Sequence, residues 1–224
     1  MTTPLIKVKN ITKSFKYNNS EINVLKGLDF EIEKGERVAI LGKSGIGKST
    51  FLHILGTLER PDKGEVLFED KNVFKFNDEK LAGFRNKSIG FVFQFHYLLN
   101  EFTTIENVMM PAFINGINKK KATEKAEEIL SLVGLKERLY SMAADLSGGE
   151  RQRAALARAI VLNPLVLLAD EPTGNLDKEH SENIHNMLYE LNKKLDMTII
   201  VVTHDTDLTK YMTRTVTIHN GRLI

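Results

Sequence analysis

The chain has 224 residues, enough for one large α/β domain, with 42% hydrophobic residues and a formal net charge of +2. So small a charge supplies no long-range field to attract nucleic acid, and the absence of cysteine excludes disulfides, thiol catalysis and cysteine-ligated zinc while suiting a reducing compartment. Met1-Thr2-Thr3-Pro4-Leu5 lacks the basic and apolar regions of a secretory signal, and no uncharged apolar run approaches the roughly eighteen residues of a bilayer span. A cytosolic location is therefore expected, with any membrane role exercised through a partner.

From Ile6 to Phe15 and from Val24 to Ile32 apolar and polar residues roughly alternate, which predicts two half-buried strands joined by a turn at Tyr17-Asn18-Asn19-Ser20. Phe15 or Tyr17 offers a ring on which an adenine can stack. The apolar run Val38-Ala39-Ile40-Leu41 reads as a buried parallel strand and Phe51-Leu52-His53-Ile54-Leu55 as a helix packed on a sheet. Between them stands Gly42-Lys43-Ser44-Gly45-Ile46-Gly47-Lys48-Ser49-Thr50, which meets all four fixed positions of the phosphate-loop pattern in the strand-to-helix setting it requires. Its glycines let successive N–H groups point into one concavity, and the helix starting near Lys48 adds the positive end of its dipole. Triphosphate is the matching guest: Lys48 reaches the β and γ phosphates, and the Ser49 hydroxyl sits on a bridging magnesium ion.

Arg60 to Gly64 is a turn, Glu65 to Glu69 a strand, and Leu81 to Asn86 a short helix. Ile89 to Phe93 is a strand ending at Gln94, whose amide oxygen can reach a metal or an attacking water, since open α/β sheets bind ligands outside the C-terminal ends of their strands. From Phe95 to about Asp145 the strand pattern disappears. Helices are predicted over Thr104 to Phe113, opened by Thr103 or Thr104 with Glu106 in the first turn, and over Ala122 to Val133, ended by Gly134; Lys119-Lys120-Lys121 reads as an exposed helix start. Phe95-His96-Tyr97-Leu98-Leu99 is unusually apolar and aromatic for a loop, as suits either local core or a docking face.

Leu146-Ser147-Gly148-Gly149-Glu150 precedes a helix predicted over Arg151 to Leu162, with Ser147 as N-cap, making a second helix N-terminus suited to an anion. Leu165 to Glu171 is a buried strand ending in two carboxylates: Asp170 can hold magnesium through its water shell, and Glu171 can polarise the water that attacks the γ-phosphate. Thr173-Gly174-Asn175-Leu176-Asp177 turns into a helix over Lys178 to Lys194. Thr198 to Thr203 is another buried strand, and His204 at its end can contact the γ-phosphate. The other five histidines, His53, His96, His180, His185 and His219, read as surface or packing residues. Arg214 to Ile218, Asn220-Gly221 and Arg222 form a closing hairpin.

With these motifs in this order, the chain resembles the ATP-binding subunit of an ABC transporter over essentially its whole length. The resemblance implies an α/β fold with a RecA-like P-loop core, an antiparallel β subdomain and an inserted helical subdomain. It implies one ABC domain over 1–224, with 1–94 and 163–224 as core and β subdomain and 95–162 as the helical part that bears the signature loop. ATP and Mg2+ are the implied cofactors. Phe15 becomes the adenine-stacking ring, Gly42 to Thr50 the phosphate cradle, and Ser49, Gln94 and Asp170 the magnesium residues. Lys48, Gln94, Glu171 and His204 become the catalytic set, with Glu171 the general base and His204 the switch histidine.

Ser147, Gly148, Gly149, Glu150 and Asp177 are implied to complete the nucleotide site of a second copy, in a head-to-tail homodimer closed by ATP. Two departures stand out: Glu150 where glutamine is commoner, which would modestly alter nucleotide affinity, and Gly174-Asn175-Leu176-Asp177 where Ser-Ala-Leu-Asp is frequent. The segment Phe91 to Leu99, with Glu101-Phe102-Thr103 and Glu106 to Pro111, is most similar to the ATPase of the bacterial lipoprotein-releasing system. That similarity implies integral membrane subunits docked near Phe95 to Met110, at the cytoplasmic face of the inner membrane. A macrolide or peptide exporter and a nucleotide-gated activator of a cell-wall hydrolase remain open alternatives.

Overall fold

The computed structural model describes residues 3–17 and 20–224, and the side chain of Tyr17 is not among the described ones. The turn expected at Asn18 and Asn19, the ring of Tyr17 and the first two residues thus lie outside the described part.

Strands β1 (Ile6–Tyr17) and β2 (Ser20–Ile32) pair antiparallel, with Ile6 opposite Ile32 and Phe15 opposite Ile22. Their alternation puts Ile6, Val8, Leu28 and Ile32 in the core and leaves Phe15 and Ile22 exposed. After β3 (Arg37–Leu41) and helix α1 (Lys48–Leu55), β4 (Lys63–Phe68) joins the free edge of β1, and β5 (Lys71–Asn72) completes a sheet of order β2-β1-β4-β5. The strand expected to reach Glu69 stops at Phe68. Glu69 and Asp70 both have positive φ, 47° and 61°, the conformation of a tight hairpin turn, and this reversal creates β5, which alternation did not predict.

Helix α2 spans Asp78–Ser88, starting three residues before the expected Leu81 because Asn77 caps it by accepting from the Lys80 N–H at 2.9 Å. It feeds β6 (Ile89–Val92). Then come α3 (Thr104–Ile114), α4 (Lys119–Leu132) and α5 (Gly148–Ile160), with no strand among residues 95–162. Thr103 and Glu106 form a capping box on α3, and Gly134 at φ 71° ends α4, as their residue types imply. These helices share a small-residue core in which Val108, Ala112, Ala122, Ala126, Leu130, Ala154 and Ala157 are all fully buried.

The second sheet adds β7 (Val166–Asp170), β8 (Thr198–Thr203), β9 (Arg214–His219) and β10 (Arg222–Leu223), in the order β10-β9-β3-β8-β7-β6. Neighbours are parallel except the hairpin β9-β10. Helix α6 (Lys178–Leu195) precedes β8 and contributes Ile184, Leu188 and Leu191 to one face of this sheet, while α1 contributes Phe51, Leu52 and Leu55 to the other. Strands covered on both sides need no polar alternation, which is why Thr198-Ile199-Ile200-Val201-Val202-Thr203 is buried throughout. β8 and β9 lie on opposite sides of β3, so β3 sits at a topological switch point. Its C-terminal end stands beside those of β8 and β7.

Candidate functional site

Five chain segments converge there. Register alone sets three of them side by side, since Leu41 at the end of β3 pairs with Thr203 at the end of β8, and Val202 pairs with Asp170 at the end of β7. Between the end of β3 and the start of α1 the phosphate loop curls through left-handed glycines, Gly45 at φ 76° and Gly47 at φ 106°. A Cβ on Gly47 would lie 2.7 Å from Val24 Cγ1, so the backbone there approaches β2 closer than any side chain allows. Lys48 is folded into the loop and only 7% exposed. Its Nζ donates to the carbonyls of Gly42 at 2.7 Å and Lys43 at 3.2 Å, and lies 3.7 Å from Glu171 Oε1.

The loop, with Phe15 and Val24 at one end and Gln94, Asp170, Glu171 and His204 at the other, encloses a cleft of about 630 Å3. Twelve residues singled out in the sequence line it: Phe15, Lys43, Ser44, Gly45, Gly47, Lys48, Ser49, Thr50, Gln94, Asp170, Glu171 and His204. Val24, half-buried against the core, lines it as well, and a valine carries no chemical signal in the sequence. Gly42 and Ile46 shape the loop without lining the cleft.

Ser49 Oγ donates to Asp170 Oδ1 at 3.1 Å, so a hydroxyl and a carboxylate stand together where Gln94 also faces the cleft. Burial pushes the Asp170 carboxyl above its ordinary pKa, and the Ser49 hydrogen bond partly counters that. Oxygen donors of this kind suit a hard divalent cation that also takes phosphate oxygens and water. The described residues hold no cluster of three or more His, Cys, Asp or Glu that would bind a metal by protein ligands alone.

Glu171 follows β7 with φ 44°, a conformation that costs a non-glycine residue about 1–2 kcal/mol and that recurs at functional sites. The backward turn aims its carboxylate along the end of β8. Oε2 lies 3.0 Å from His204 Nδ1 and accepts from Thr203 Oγ1 at 2.9 Å and from the His204 N–H at 3.3 Å.

Ser147, Gly148, Gly149, Glu150 and Asp177 do not line the cleft. Helix α5 begins at Gly148, earlier than the expected Arg151, because Ser147 and Glu150 form a capping box strong enough to hold two glycines in the first turn. Glu150 Oε2 accepts from the Ser147 N–H at 2.8 Å and Oε1 from Arg138 Nε at 2.9 Å. These bonds, the Ser147 N–H first, hold its carboxyl below the usual pKa. Asp177 caps α6, accepting from the His180 N–H at 2.9 Å and lying 2.8 Å from the ring Nδ1. His180, expected as a surface or packing residue, packs on the signature loop, since a Cβ on Gly149 would come 2.7 Å from its Cδ2. Asn175 Nδ2 donates to the Gln94 carbonyl at 3.1 Å.

Beyond Gln94, Phe95 and Tyr97 are 62% and 64% exposed. Arg158 on α5 donates to the carbonyls of His96 at 2.7 Å and Tyr97 at 2.6 Å, tying this aromatic segment to the helix that starts at Ser147.

Residues 25–174 match the family model described as ABC transporter. The chain is 51% identical over 220 residues to the lipoprotein-releasing system ATP-binding protein LolD of Syntrophus aciditrophicus, covering 98% of this chain and 99% of that protein. It is 49% identical over 219 residues to the protein of the same name from Bacteroides thetaiotaomicron, with 98% and 99% covered. Among solved structures it superposes on the dimeric bacterial ABC transporter cassette MJ0796 with a TM-score of 0.89 and 37% identity, covering 97% of this chain and 96% of that one. A post-hydrolysis state of the same cassette, bound to ADP and Pi, gives 0.89 and 36%. No helix among the described residues is long and apolar enough to cross a membrane.

Proposed function

The chain belongs to the ABC transporter family, and on that premise we propose that it is the ATP-hydrolysing subunit of a membrane complex of the lipoprotein-releasing type. One observation carries the chemical part: Lys48 Nζ and Glu171 Oε1 face each other at 3.7 Å across a cleft that Ser49, Gln94, Asp170 and His204 also line. This sets a phosphate-binding cation beside a general base, with magnesium-type oxygen donors at hand.

In this reading the adenine stacks on Phe15 and the phosphates lie along the N–H groups of Gly42 to Thr50. Lys48 neutralises charge on the β and γ phosphates. Ser49, Gln94 and Asp170 hold Mg2+, which when bound draws charge from the phosphate oxygens. Glu171 takes a proton from the attacking water as the water oxygen bonds to the γ-phosphorus. The bond from phosphorus to the bridging oxygen breaks, and its electron pair leaves with ADP. His204 faces the γ-phosphate and registers its departure.

The site is shared between two copies. Supporting this is the position of Ser147 to Glu150 and Asp177 outside the cleft of their own chain: a helix N-terminus suited to an anion and turned away from that cleft is available to the nucleotide of a second copy. ATP bridges the pair, and hydrolysis releases it. The unit of residues 95–162 passes the motion on, with the exposed rings of Phe95 and Tyr97 and the segment to Met110 as the docking face for integral membrane subunits. The protein then works at the cytoplasmic side of the inner membrane, moving lipoproteins toward the outer one.

The test replaces Phe95 or Tyr97 with a photocrosslinking residue in native membranes. Attachment to a membrane subunit of the lipoprotein-releasing type is the expected result. Attachment to a cell-division membrane protein favours the gated-activator alternative, and capture of no membrane protein overturns the docking assignment.

A further inference from the structure

Thr203 ends a strand whose four central residues, Ile199 to Val202, are apolar, and it is 1% exposed. A hydroxyl in so buried a position needs partners, and this one has two. Its Oγ1 accepts from the Asp205 N–H at 3.0 Å and donates to Glu171 Oε2 at 2.9 Å. Because a threonine hydroxyl has a single proton, acceptance from Asp205 on one side commits that proton to the carboxylate on the other.

The two oxygens of Glu171 are thereby made unequal. Oε2 gathers Thr203 Oγ1, the His204 N–H and His204 Nδ1, while Oε1 has Lys48 Nζ at 3.7 Å as its nearest cation. Among the partners of Oε2, His204 is an exposed side chain beyond the strand, with 72% of its surface open, whereas Thr203 is fixed by the sheet. The residue it must hold is in a left-handed conformation that local preference opposes.

We propose that Thr203 is a positioning residue for hydrolysis: its hydroxyl anchors Oε2 of Glu171 so that Oε1 is presented to the cleft to take the proton of the attacking water. This rests on the assignment of Glu171 as general base. Thr203 itself touches no phosphate and acts only through that carboxylate, so its removal affects the chemical step and leaves nucleotide binding intact.

The experiment compares T203V, which keeps the shape and removes the donor, with T203S, which keeps the donor. For T203V kcat is expected to fall about 10- to 100-fold with KM for ATP changed less than about twofold. T203S is expected to stay within about threefold of the unaltered protein. T203V is also expected to retain ATP-driven dimers, since ATP still binds and persists longer. If T203V does not fold, T203C serves, because its thiol fits the same space and donates only weakly.

Unchanged kcat in T203V or T203C, or a fall in kcat matched by a rise in KM, overturns the proposal, as does a T203S variant as slow as T203V. E171Q measured alongside separates the two levels. A slow E171Q with a fast T203V removes only the role of Thr203, whereas a fast E171Q removes the assignment of Glu171 beneath it.

Discussion

The side-chain amide of Asn175 donates to the backbone carbonyl of Gln94 at 3.1 Å, joining the turn that leads into α6 to the loop that carries the proposed magnesium ligand Gln94. The bond depends on the Asn175 side-chain amide, which an alanine at this position would lack. N175A removes one exposed hydrogen bond, worth roughly 0.5–1.5 kcal/mol. The expected outcome is a loss of kcat of about two- to tenfold with little change in KM for ATP, checked by steady-state phosphate release.

Gly47 and Gly45 differ in what surrounds them. Both have positive φ, but a Cβ on Gly47 meets Val24 at 2.7 Å, whereas one on Gly45 has nothing within 4 Å. G47A is expected to cost about 1–3 kcal/mol of stability from combined backbone and packing strain and to lose ATP binding. G45A carries the backbone strain alone, about 1 kcal/mol, and is expected to be the milder variant. Denaturant midpoints and nucleotide titration of the two rank them.

The pH dependence of stability has a named contributor in Glu150. Its folded pKa is depressed, first by the Ser147 N–H and also by Arg138. A depressed carboxylate contributes stability that is present above its unfolded pKa, about 4.3, and lost as pH falls through the lower folded value. E150Q keeps the capping geometry without the titration. It is expected to lose less stability than the unaltered protein between neutral pH and pH 4 and below, with a small cost at neutral pH, read from thermal midpoints across that range.

Arg158 is the strap between α5 and the exposed aromatic segment proposed as the docking face. Its guanidinium is largely desolvated, which lowers its pKa, and it spends two donors on the carbonyls of His96 and Tyr97. R158K keeps the charge but cannot make the two-pronged contact. Both R158A and R158K are expected to weaken capture at Phe95 or Tyr97 in the crosslinking assay, with R158A losing about 1–3 kcal/mol of stability.

Much of the site was legible because its signals are local. The phosphate loop is a contiguous pattern, and Thr103 with Glu106 and Ser147 with Glu150 are capping boxes four residues long. Buried strands betray themselves by unbroken apolar runs. Two helix starts were misplaced although the signal was present: Asn77 followed by Asp78 and Glu79 marks the head of α2, and at α5 the low helix propensity of Gly148 and Gly149 was overridden by the capping box. What stayed hidden depends on tertiary register. Thr203 meets Glu171 only because β8 lies beside β7, and His180 meets Gly149 only because the heads of α5 and α6 pack together. No spacing in the chain encodes either contact.

Light scattering of E171Q with ATP, alongside its rate of phosphate release, tests most directly whether Glu171 drives hydrolysis at a site shared by two copies. Slow hydrolysis, retained ATP and a stable dimer are expected, since the proposed base is lost while Lys48, the phosphate loop and the helix N-terminus of the second copy are intact. Turnover at the unaltered rate, or a protein that remains monomeric at saturating ATP, would contradict this expectation.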